Sequence, residues 1–241
     1  MIILEDQLKR IRLCAKPILF ETGFEEVPYG GAGTTFFVKV GSTVLLVSSR
    51  HAFGNYPLEK LLVFPNAETD NSIPFNKAFS VANRDQNDPD FSDIVLARVD
   101  LNKIHLATES NMVVLDLDKA SDIWREAPSS QKYFIFGYPN ERSNVDYEEC
   151  KIFNNQSILV GNFIGASPSS YCFELKIIDS NGVLNFNGLS GSPVVSIPYK
   201  PKGKIDISFC GMVIRGTSPT SPIHFLDAKV IRHAISLAIG T

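Results

Sequence analysis

The sequence predicts an all-β protein whose antiparallel strands form a sandwich or a barrel. Three observations favour this fold class: many short runs of β-branched and aromatic residues, turn residues between the runs, and few stretches with helical periodicity. The chain has 241 residues, of which 44% are hydrophobic, enough to build a sizeable core in one large domain or two small ones.

The N-terminal segment is predicted to form a short helix. One helical face is formed by apolar residues spaced three or four apart, namely Leu4, Leu8, Ile11 and Cys14. Pro17 lacks a backbone N–H and is predicted to end the helix. Residues 1–17 are therefore assigned to an N-terminal helical extension.

Strand-like runs follow along most of the chain. The first two, 34–40 and 43–47, are separated only by Gly41-Ser42, a two-residue connection typical of a tight hairpin. Asn181-Gly182 predicts a second hairpin later in the chain. The other predicted strands are 61–64, 93–99, 133–136, 157–160, 172–177, 193–196 and 205–214.

A second helix is predicted at the end of the chain, over residues 227–239. The residues that recur there at helical spacing are Val230, Ile231, Ala234, Ile235 and Ala238. The least strand-like stretch in the middle of the chain, 116–130, is the best place to divide it. The predicted division gives one unit over 18–125 and a second over 126–241.

Charge and composition exclude several classes of protein. With 23 Lys and Arg against 26 Asp and Glu, the net charge is −3, so the positive charge of a nucleic-acid binder is missing. Neither a secretory signal nor a long apolar segment is present, so neither secretion nor a membrane partner is expected. The four cysteines and four histidines are scattered without metal-ligand spacing, which predicts no metal site and buried thiols in a cytoplasmic protein.

Three local segments carry side chains suited to nucleophilic catalysis. His51 follows an apolar strand, Asp93 begins another, and Ser190 lies in a glycine-flanked turn before a third. An imidazole can take the proton of a serine hydroxyl, and a carboxylate holds the imidazole in the tautomer that does so. The N–H groups of Gly188 and Ser190, two residues apart, are predicted to bind an oxyanion.

The choice of the acid depends on its position relative to the strand. Asp88 and Asp90 compete with Asp93, and Asp93 is preferred because it directly abuts the apolar run. The chain order is then His51, Asp93, Ser190. An α/β-hydrolase has the order Ser, acid, His, and a subtilisin has Asp before His. Both orders differ from the one found here, and the β-rich pattern also disagrees with them.

These segments resemble the trypsin/chymotrypsin-like serine proteases, in the bacterial style of the HtrA-type and glutamyl endopeptidases. The motif Gly188-Leu189-Ser190-Gly191-Ser192-Pro193 is similar to that of the glutamyl endopeptidases. Two further segments match family positions: Phe136-Gly137-Tyr138-Pro139 and Cys210-Gly211-Met212-Val213-Ile214-Arg215-Gly216. The resemblance covers most of the chain from about residue 30 onward.

The family resemblance implies a more specific architecture than the strand pattern does. It implies two six-stranded antiparallel β-barrels of the chymotrypsin type, with a short N-terminal helix and a C-terminal helix. His51 and Asp93 would come from the first barrel, and Ser190 with its oxyanion hole from the second. The catalytic cleft would lie between the two barrels.

The resemblance also implies which residues contact a substrate. Ile214, Arg215 and Gly216 would form an edge along which a substrate strand pairs. Leu184, six residues before the nucleophile, takes the pocket-floor position, and because it is not an aspartate, trypsin-like specificity is not expected. His224 falls near the specificity pocket, where it either recognises an acidic or amide side chain or serves in packing.

Departures from trypsin bear on how such an enzyme would be controlled. Leu189 takes the place of the aspartate that pairs with a new N-terminus in trypsin, and an Ile-Val-Gly-Gly activation sequence is lacking. Zymogen activation is therefore not expected.

The resulting prediction is a serine protease without a cofactor, which cleaves a protein or peptide substrate through an acyl-enzyme intermediate. Its control would come from loop ordering or from a partner, for which an activating sensor protein is one candidate. The alternative is a catalytically quiet trypsin-fold protein that binds peptides or partners in the same cleft.

Overall fold

The structure is a computed structural model that describes residues 2–53, 56–65, 71–81, 90–105, 112–121, 123–146, 151–198 and 207–240. Within these ranges the α-helices are α1 (Ile2–Cys14), α2 (Arg50–Phe53) and α3 (Ala228–Ile239). The strands of the first half are β1 (Ala15–Glu21), β2 (Tyr29–Val40), β3 (Thr43–Ser48), β4 (Leu61–Leu62), β5 (Phe75–Ser80), β6 (Val95–Val99) and β7 (Leu115–Asp116). Those of the second half are β8 (Gln131–Gly137), β9 (Ser143–Asp146), β10 (Lys151–Asn154), β11 (Ser157–Ala166), β12 (Cys172–Asp179), β13 (Pro193–Pro198), β14 (Ser208–Arg215) and β15 (Ile223–Asp227).

The first half of the chain forms a curled sheet. Six strands follow the order β4-β1-β2-β3-β6-β5, each antiparallel to its neighbours, and β7 joins β2 in parallel. The hairpin predicted at Gly41-Ser42 is confirmed, since Val40 pairs with Thr43 across it. Gly41 has φ 56°, a left-handed conformation that glycine adopts without strain.

The second half of the chain forms a closed barrel of six antiparallel strands, in the order β11-β12-β15-β14-β13-β8. The strands β9 and β10 form a separate two-stranded sheet. The predicted fold class, with strands dominant and a helix at either end, is confirmed. The limits of the predicted domains stay a prediction.

A shared apolar core joins the two halves. Each half has its own cluster of buried side chains, the second one around Trp124. A third cluster contains buried residues from both halves and from the terminal helices. At its centre the rings of Phe36 and Phe209 lie 5.6 Å apart. Because apolar burial is the main favourable contribution to packing, this third cluster fixes the two halves against each other.

The end of α1 differs from the prediction. The helix α1 ends at Cys14, three residues before Pro17, and Pro17 lies inside β1, opposite Thr34 in β2. A residue before proline is pushed towards the extended conformation, which favours the strand over another turn of helix. On its other side β1 pairs with β4 only at Leu19 and Phe20, so a proline at position 17 is tolerated.

The turn at Asn181-Gly182 forms, but the hairpin predicted there is wrong. Both residues have positive φ, 51° and 75°, as such a turn requires. The strand before it, β12, pairs with β11 and β15, whereas the strand after it, β13, pairs with β8 and β14. The turn therefore begins a long loop instead of a return strand. We call residues 180–192 the nucleophile loop because they contain Ser190, the predicted nucleophile.

Several strand and helix limits also differ from the predictions. The strand predicted over 61–64 is limited to β4, and the one predicted over 93–99 begins only at Val95. The strand predicted over 205–214 is β14, and Ile205 lies outside the described residues. The last helix begins at Ala228, because Asp227 is its N-cap and accepts a hydrogen bond from the Lys229 N–H at 2.8 Å.

Within the described ranges, no helix is long and apolar enough to cross a membrane. Cys14, Cys172 and Cys210 are buried thiols, and burial raises the pKa of Cys14 to about 12. Cys150 lies outside the described residues. The three thiols therefore behave as apolar core residues in this fold.

Candidate functional site

His51 and Asp93 form a two-point contact. The Asp93 carboxylate accepts the backbone N–H of His51 at 2.9 Å and lies 2.7 Å from the ring nitrogen Nδ1. A proton on Nδ1 satisfies this contact and leaves Nε2 as an acceptor. The Asp93 side chain is 17% exposed and that of His51 is 52% exposed, so the ring is accessible while its partner is shielded.

Local structure explains why these two residues meet. The helix α2, which begins two residues after β3, contains His51, and the buried Ala52 and Phe53 anchor it to the first sheet. Asp93 lies between a 3₁₀ turn (Asp90–Ser92) and β6, and its N–H donates to the Asp90 carbonyl at 3.1 Å. Because β3 and β6 are neighbours in the sheet, the ends of these strands bring the two side chains together.

The pKa of His51 is raised above its ordinary value of 6.5. The main cause is the hydrogen bond to Asp93, burial acts in the opposite direction, and the charges of Asp93 and Asp90 raise the pKa further. The contact with Asp93 therefore makes the imidazole a stronger base.

The turn that contains Ser190 is built on two glycines with positive φ. Gly188 has φ 92° and Gly191 has φ 89°. Between them the Leu189 side chain is buried in the core of the barrel, so Ser190 is turned towards the surface. The Gly191 N–H donates to the Val213 carbonyl at 2.8 Å, which ties the turn to β14.

Thr34 of the first sheet holds the same turn from the opposite side. Its backbone N–H donates to the Ser190 carbonyl at 3.0 Å, and its hydroxyl donates to the Gly188 carbonyl at 2.8 Å. The same hydroxyl accepts the Tyr138 N–H at 2.9 Å, and the Thr34 carbonyl accepts the Ser48 hydroxyl at 2.8 Å. The nucleophile loop is therefore fixed to both halves of the molecule.

The segments that contain His51 and Ser190 both approach Gly33 of β2. A Cβ added to Gly33 would be 3.0 Å from Cβ of Ala52, the residue after His51, and 3.2 Å from the Ser190 carbonyl oxygen. The segments that contain His51 and Ser190 therefore both lie close to the same glycine of β2.

Two backbone N–H groups in the turn are unused. Among the described residues, Leu189, Gly191 and Ser192 each donate their N–H to a carbonyl, whereas Gly188 and Ser190 do not. Such N–H groups, two residues apart in a glycine turn, bind an anion that approaches from the surface.

The Ser190 hydroxyl has a different partner from the one that catalysis needs. Among the described residues it donates to the Ile214 carbonyl at 3.4 Å and makes no hydrogen bond with His51. A bond of this length is weak, and in free enzymes such catalytic contacts often form only with substrate.

An ion pair links the two halves beside this site. Arg215, at the end of β14, binds the carboxylate of Asp90, the residue that the sequence offers as a rival to Asp93. Asp88, the other rival, lies outside the described residues. Arg215 follows Ile214, so the predicted substrate edge 214–216 lies next to the Asp93 segment.

His224 of β15 lies opposite Arg215 in the barrel. Its Nδ1 is 3.1 Å from the Ser167 hydroxyl and 3.6 Å from a Glu174 carboxylate oxygen. Burial lowers the pKa of His224, as does the positive charge of Arg215, and the acidic groups Glu174 and Asp90 only partly oppose these effects. The histidine is held among polar groups, and its role towards substrate stays a prediction.

Leu184, predicted at the pocket floor, lies at the surface of the structure, and its contact with a substrate stays a prediction. Its side chain is 73% exposed. The backbone N–H groups of Leu184 and Asn185 both donate to the carboxylate of Glu141, at 2.9 Å each. These bonds hold the segment at the surface with the leucine side chain turned outward.

The contacts of Thr34, Ser48 and Glu141 have no signal in the sequence. Each residue has its partner far away along the chain, and no motif or periodicity in the sequence relates the two. Within the described ranges, no group of three or more His, Cys, Asp or Glu side chains could hold a metal ion.

The structure is a mostly antiparallel β protein with a curled sheet and a closed six-stranded barrel, compatible with a chymotrypsin-like fold. Neither the protein-family models nor the curated proteins give a match to this chain. The interpretation of the site therefore depends on its motifs and its geometry.

Proposed function

We propose that the protein is a serine endopeptidase with Ser190 as nucleophile, His51 as base and Asp93 as the residue that orients His51. The observation that carries this proposal is the pairing of His51 with Asp93, together with a serine turn in which the N–H groups of Gly188 and Ser190 have no acceptor within the described residues. A histidine tautomer fixed by a carboxylate and a preformed anion site are both needed for acyl transfer.

In the first step the Ser190 hydroxyl turns from the Ile214 carbonyl towards His51. Its proton passes to Nε2, and Oγ forms a bond to the peptide carbonyl carbon. The resulting oxyanion accepts hydrogen bonds from the N–H groups of Gly188 and Ser190. When the C–N bond breaks, the leaving amine takes the proton from His51, and an acyl-enzyme remains.

In the second step water attacks the acyl-enzyme. His51 takes a proton from the water, and the same two N–H groups stabilise the second oxyanion. The bond between the acyl carbon and Oγ then breaks, and the proton returns from His51 to Oγ. The reaction needs no cofactor, since each proton and bond is accounted for by the three side chains and water.

Covalent labelling tests this proposal directly. A fluorophosphonate probe is expected to label the wild-type protein at Ser190 and to leave Ser190→Ala unlabelled. Ser192→Ala is the matched control: its hydroxyl lies in the same loop, is buried and makes no hydrogen bond within the described residues. Equal labelling of Ser190→Ala and the wild type, or no labelling of folded wild type, would contradict the proposal.

The labelling rate is also expected to depend on pH. His51 accepts a proton only in its neutral form, and its pKa is raised above 6.5 by Asp93 and Asp90, while Arg215 neutralises part of the charge of Asp90. The rate should therefore fall as the pH is lowered through a midpoint above 6.5. The second-order rate constant measured across this range gives the midpoint; a rate independent of pH would argue against His51 as base.

The second candidate is a catalytically quiet protein that binds peptides or partners in the same cleft. The hydrogen bond from Ser190 to Ile214, in place of His51, is the observation that favours it. The labelling experiment separates the two candidates, because a binding protein without a competent triad leaves the probe unreacted.

We also propose that a partner, such as a sensor protein, regulates the enzyme, and that zymogen activation does not. The position before Ser190 is Leu189, buried in the apolar core of the barrel, so an ion pair with a new N-terminus cannot form there. The buried thiols favour a reducing compartment, and we propose the cytoplasm. A protein or peptide is the proposed substrate.

A further inference from the structure

One short segment contacts the nucleophile loop at several points. A 3₁₀ turn (Asn140–Arg142) follows Tyr138 and Pro139, and all three of its residues contact the loop. The Glu141 carboxylate accepts the N–H groups of Leu184 and Asn185, at 2.9 Å each. The Asn140 N–H donates to the Asn187 carbonyl at 2.8 Å.

The third residue of the turn fixes the start of the same loop. The Arg142 guanidinium donates to the Asn181 carbonyl and, at 3.2 Å, to the Ser157 hydroxyl of β11. The contacts of the turn therefore reach the loop near its start, in its middle and immediately before Gly188. The nucleophile loop is not part of a β-sheet, so it lacks the regular hydrogen bonds of a strand. The bonds to residues 140–142 hold it on the side that faces this turn.

The geometry at Gly188 shows why these supports affect the anion site. A Cβ on Gly188 would lie 2.4 Å from Oδ1 of Asn140 and 2.6 Å from the Tyr138 carbonyl oxygen. The glycine is thus in close contact with the supporting turn. A shift of the loop away from this turn would also move the Gly188 N–H, one of the two groups proposed to bind the oxyanion.

We propose that Glu141 is a positioning residue that orders the nucleophile loop, and with it the oxyanion hole, by binding the backbone of Leu184 and Asn185. This inference rests on the proposed serine-protease function. An ion pair with a new N-terminus cannot order the loop, because the residue before Ser190 is the buried Leu189. Glu141, a residue within the chain, orders the loop instead. Because the carboxylate is charged, its two bonds to N–H groups are stronger than bonds between neutral groups.

Glu141→Ala removes both acceptors and is expected to leave the fold of the barrel strands unchanged. We expect it to lower the rate of fluorophosphonate labelling at Ser190 about tenfold, since each lost hydrogen bond has a modest net effect. Glu141→Gln keeps one acceptor oxygen, and its labelling rate is expected to be about threefold lower than that of the wild type. Glu126→Ala is the matched control, because Glu126 is an exposed acid that makes no contact with the nucleophile loop within the described residues.

Hydrogen exchange distinguishes positioning from a general loss of structure. In Glu141→Ala the amides of Leu184 and Asn185 should exchange faster, while the amides of the barrel strands and the thermal unfolding midpoint stay as in the wild type. Labelling of Glu141→Ala at the wild-type rate would overturn the inference. So would unchanged exchange at these two amides, or faster exchange throughout the barrel.

The two proposals can fail separately. If the wild type is not labelled at all, the serine-protease proposal fails, and exchange at Leu184 and Asn185 still tests whether Glu141 orders the loop. If the wild type is labelled and Glu141→Ala is labelled equally fast, the positioning role fails and the protease proposal stands.

Discussion

Asp93→Asn is expected to lower the rate of labelling at Ser190 by about 10³- to 10⁴-fold while the protein stays folded. The carboxylate of Asp93 accepts from both the backbone N–H and Nδ1–H of His51. An asparagine of the same size can accept only one of these bonds, and its NH₂ group favours the tautomer with a proton on Nε2. His51 then cannot take the serine proton. Labelling kinetics together with circular dichroism measure both parts of this prediction.

Asp90→Asn provides the matched control for this experiment. Asp90 lies three residues earlier in the same segment, and its carboxylate pairs with Arg215 and makes no hydrogen bond to His51 within the described residues. Because an ion pair near the surface contributes little, we expect the labelling rate to stay within about fivefold of the wild type. If the two variants lost activity equally, the assignment of Asp93 as the orienting acid would be wrong.

Local conformation was predictable from the sequence wherever a few adjacent residues determine it. The turn at Gly41-Ser42 and the helical face of α3 depend on neighbours in the chain, and both form as predicted. The turn at Asn181-Gly182 also forms, yet its hairpin does not, because β12 has better partners in β11 and β15. A turn motif determines backbone angles, whereas the whole sheet determines which strands pair.

The contact between His51 and Asp93 was predictable because a histidine and an aspartate at the ends of apolar strands, in this chain order, are typical of a catalytic pair. His51 and Asp93 are 42 residues apart in the chain, and the structure places their side chains 2.7 Å apart. The supporting residues were not predictable: Thr34 contacts Gly188 across 154 residues, and Glu141 contacts Leu184 across 43. Such single polar contacts leave no periodic pattern in the sequence.

Gly191 lies where the two halves of the molecule meet, and there is no space for a side chain at this position. A Cβ there would lie 1.9 Å from the Thr34 carbonyl oxygen and 2.5 Å from the Ser48 hydroxyl. Gly191 has a left-handed backbone with φ 89°, which costs an L-residue additional strain. Since the Thr34 oxygen belongs to the backbone of β2, the overlap can be relieved only by moving the first sheet away from the nucleophile loop.

Gly191→Ala is therefore expected to lower the free energy of unfolding by about 4 kcal/mol and to abolish labelling of Ser190. Gly41→Ala separates backbone strain from this overlap, because Gly41 also has positive φ, 56°, but an added Cβ meets nothing within 4 Å. In this control variant the free energy of unfolding should fall by only about 1 kcal/mol, and the labelling rate should stay as in the wild type. Urea unfolding of both variants measures the difference. Equal losses would mean that the left-handed backbone alone, and not the close contact with Thr34, accounts for the requirement for glycine at position 191.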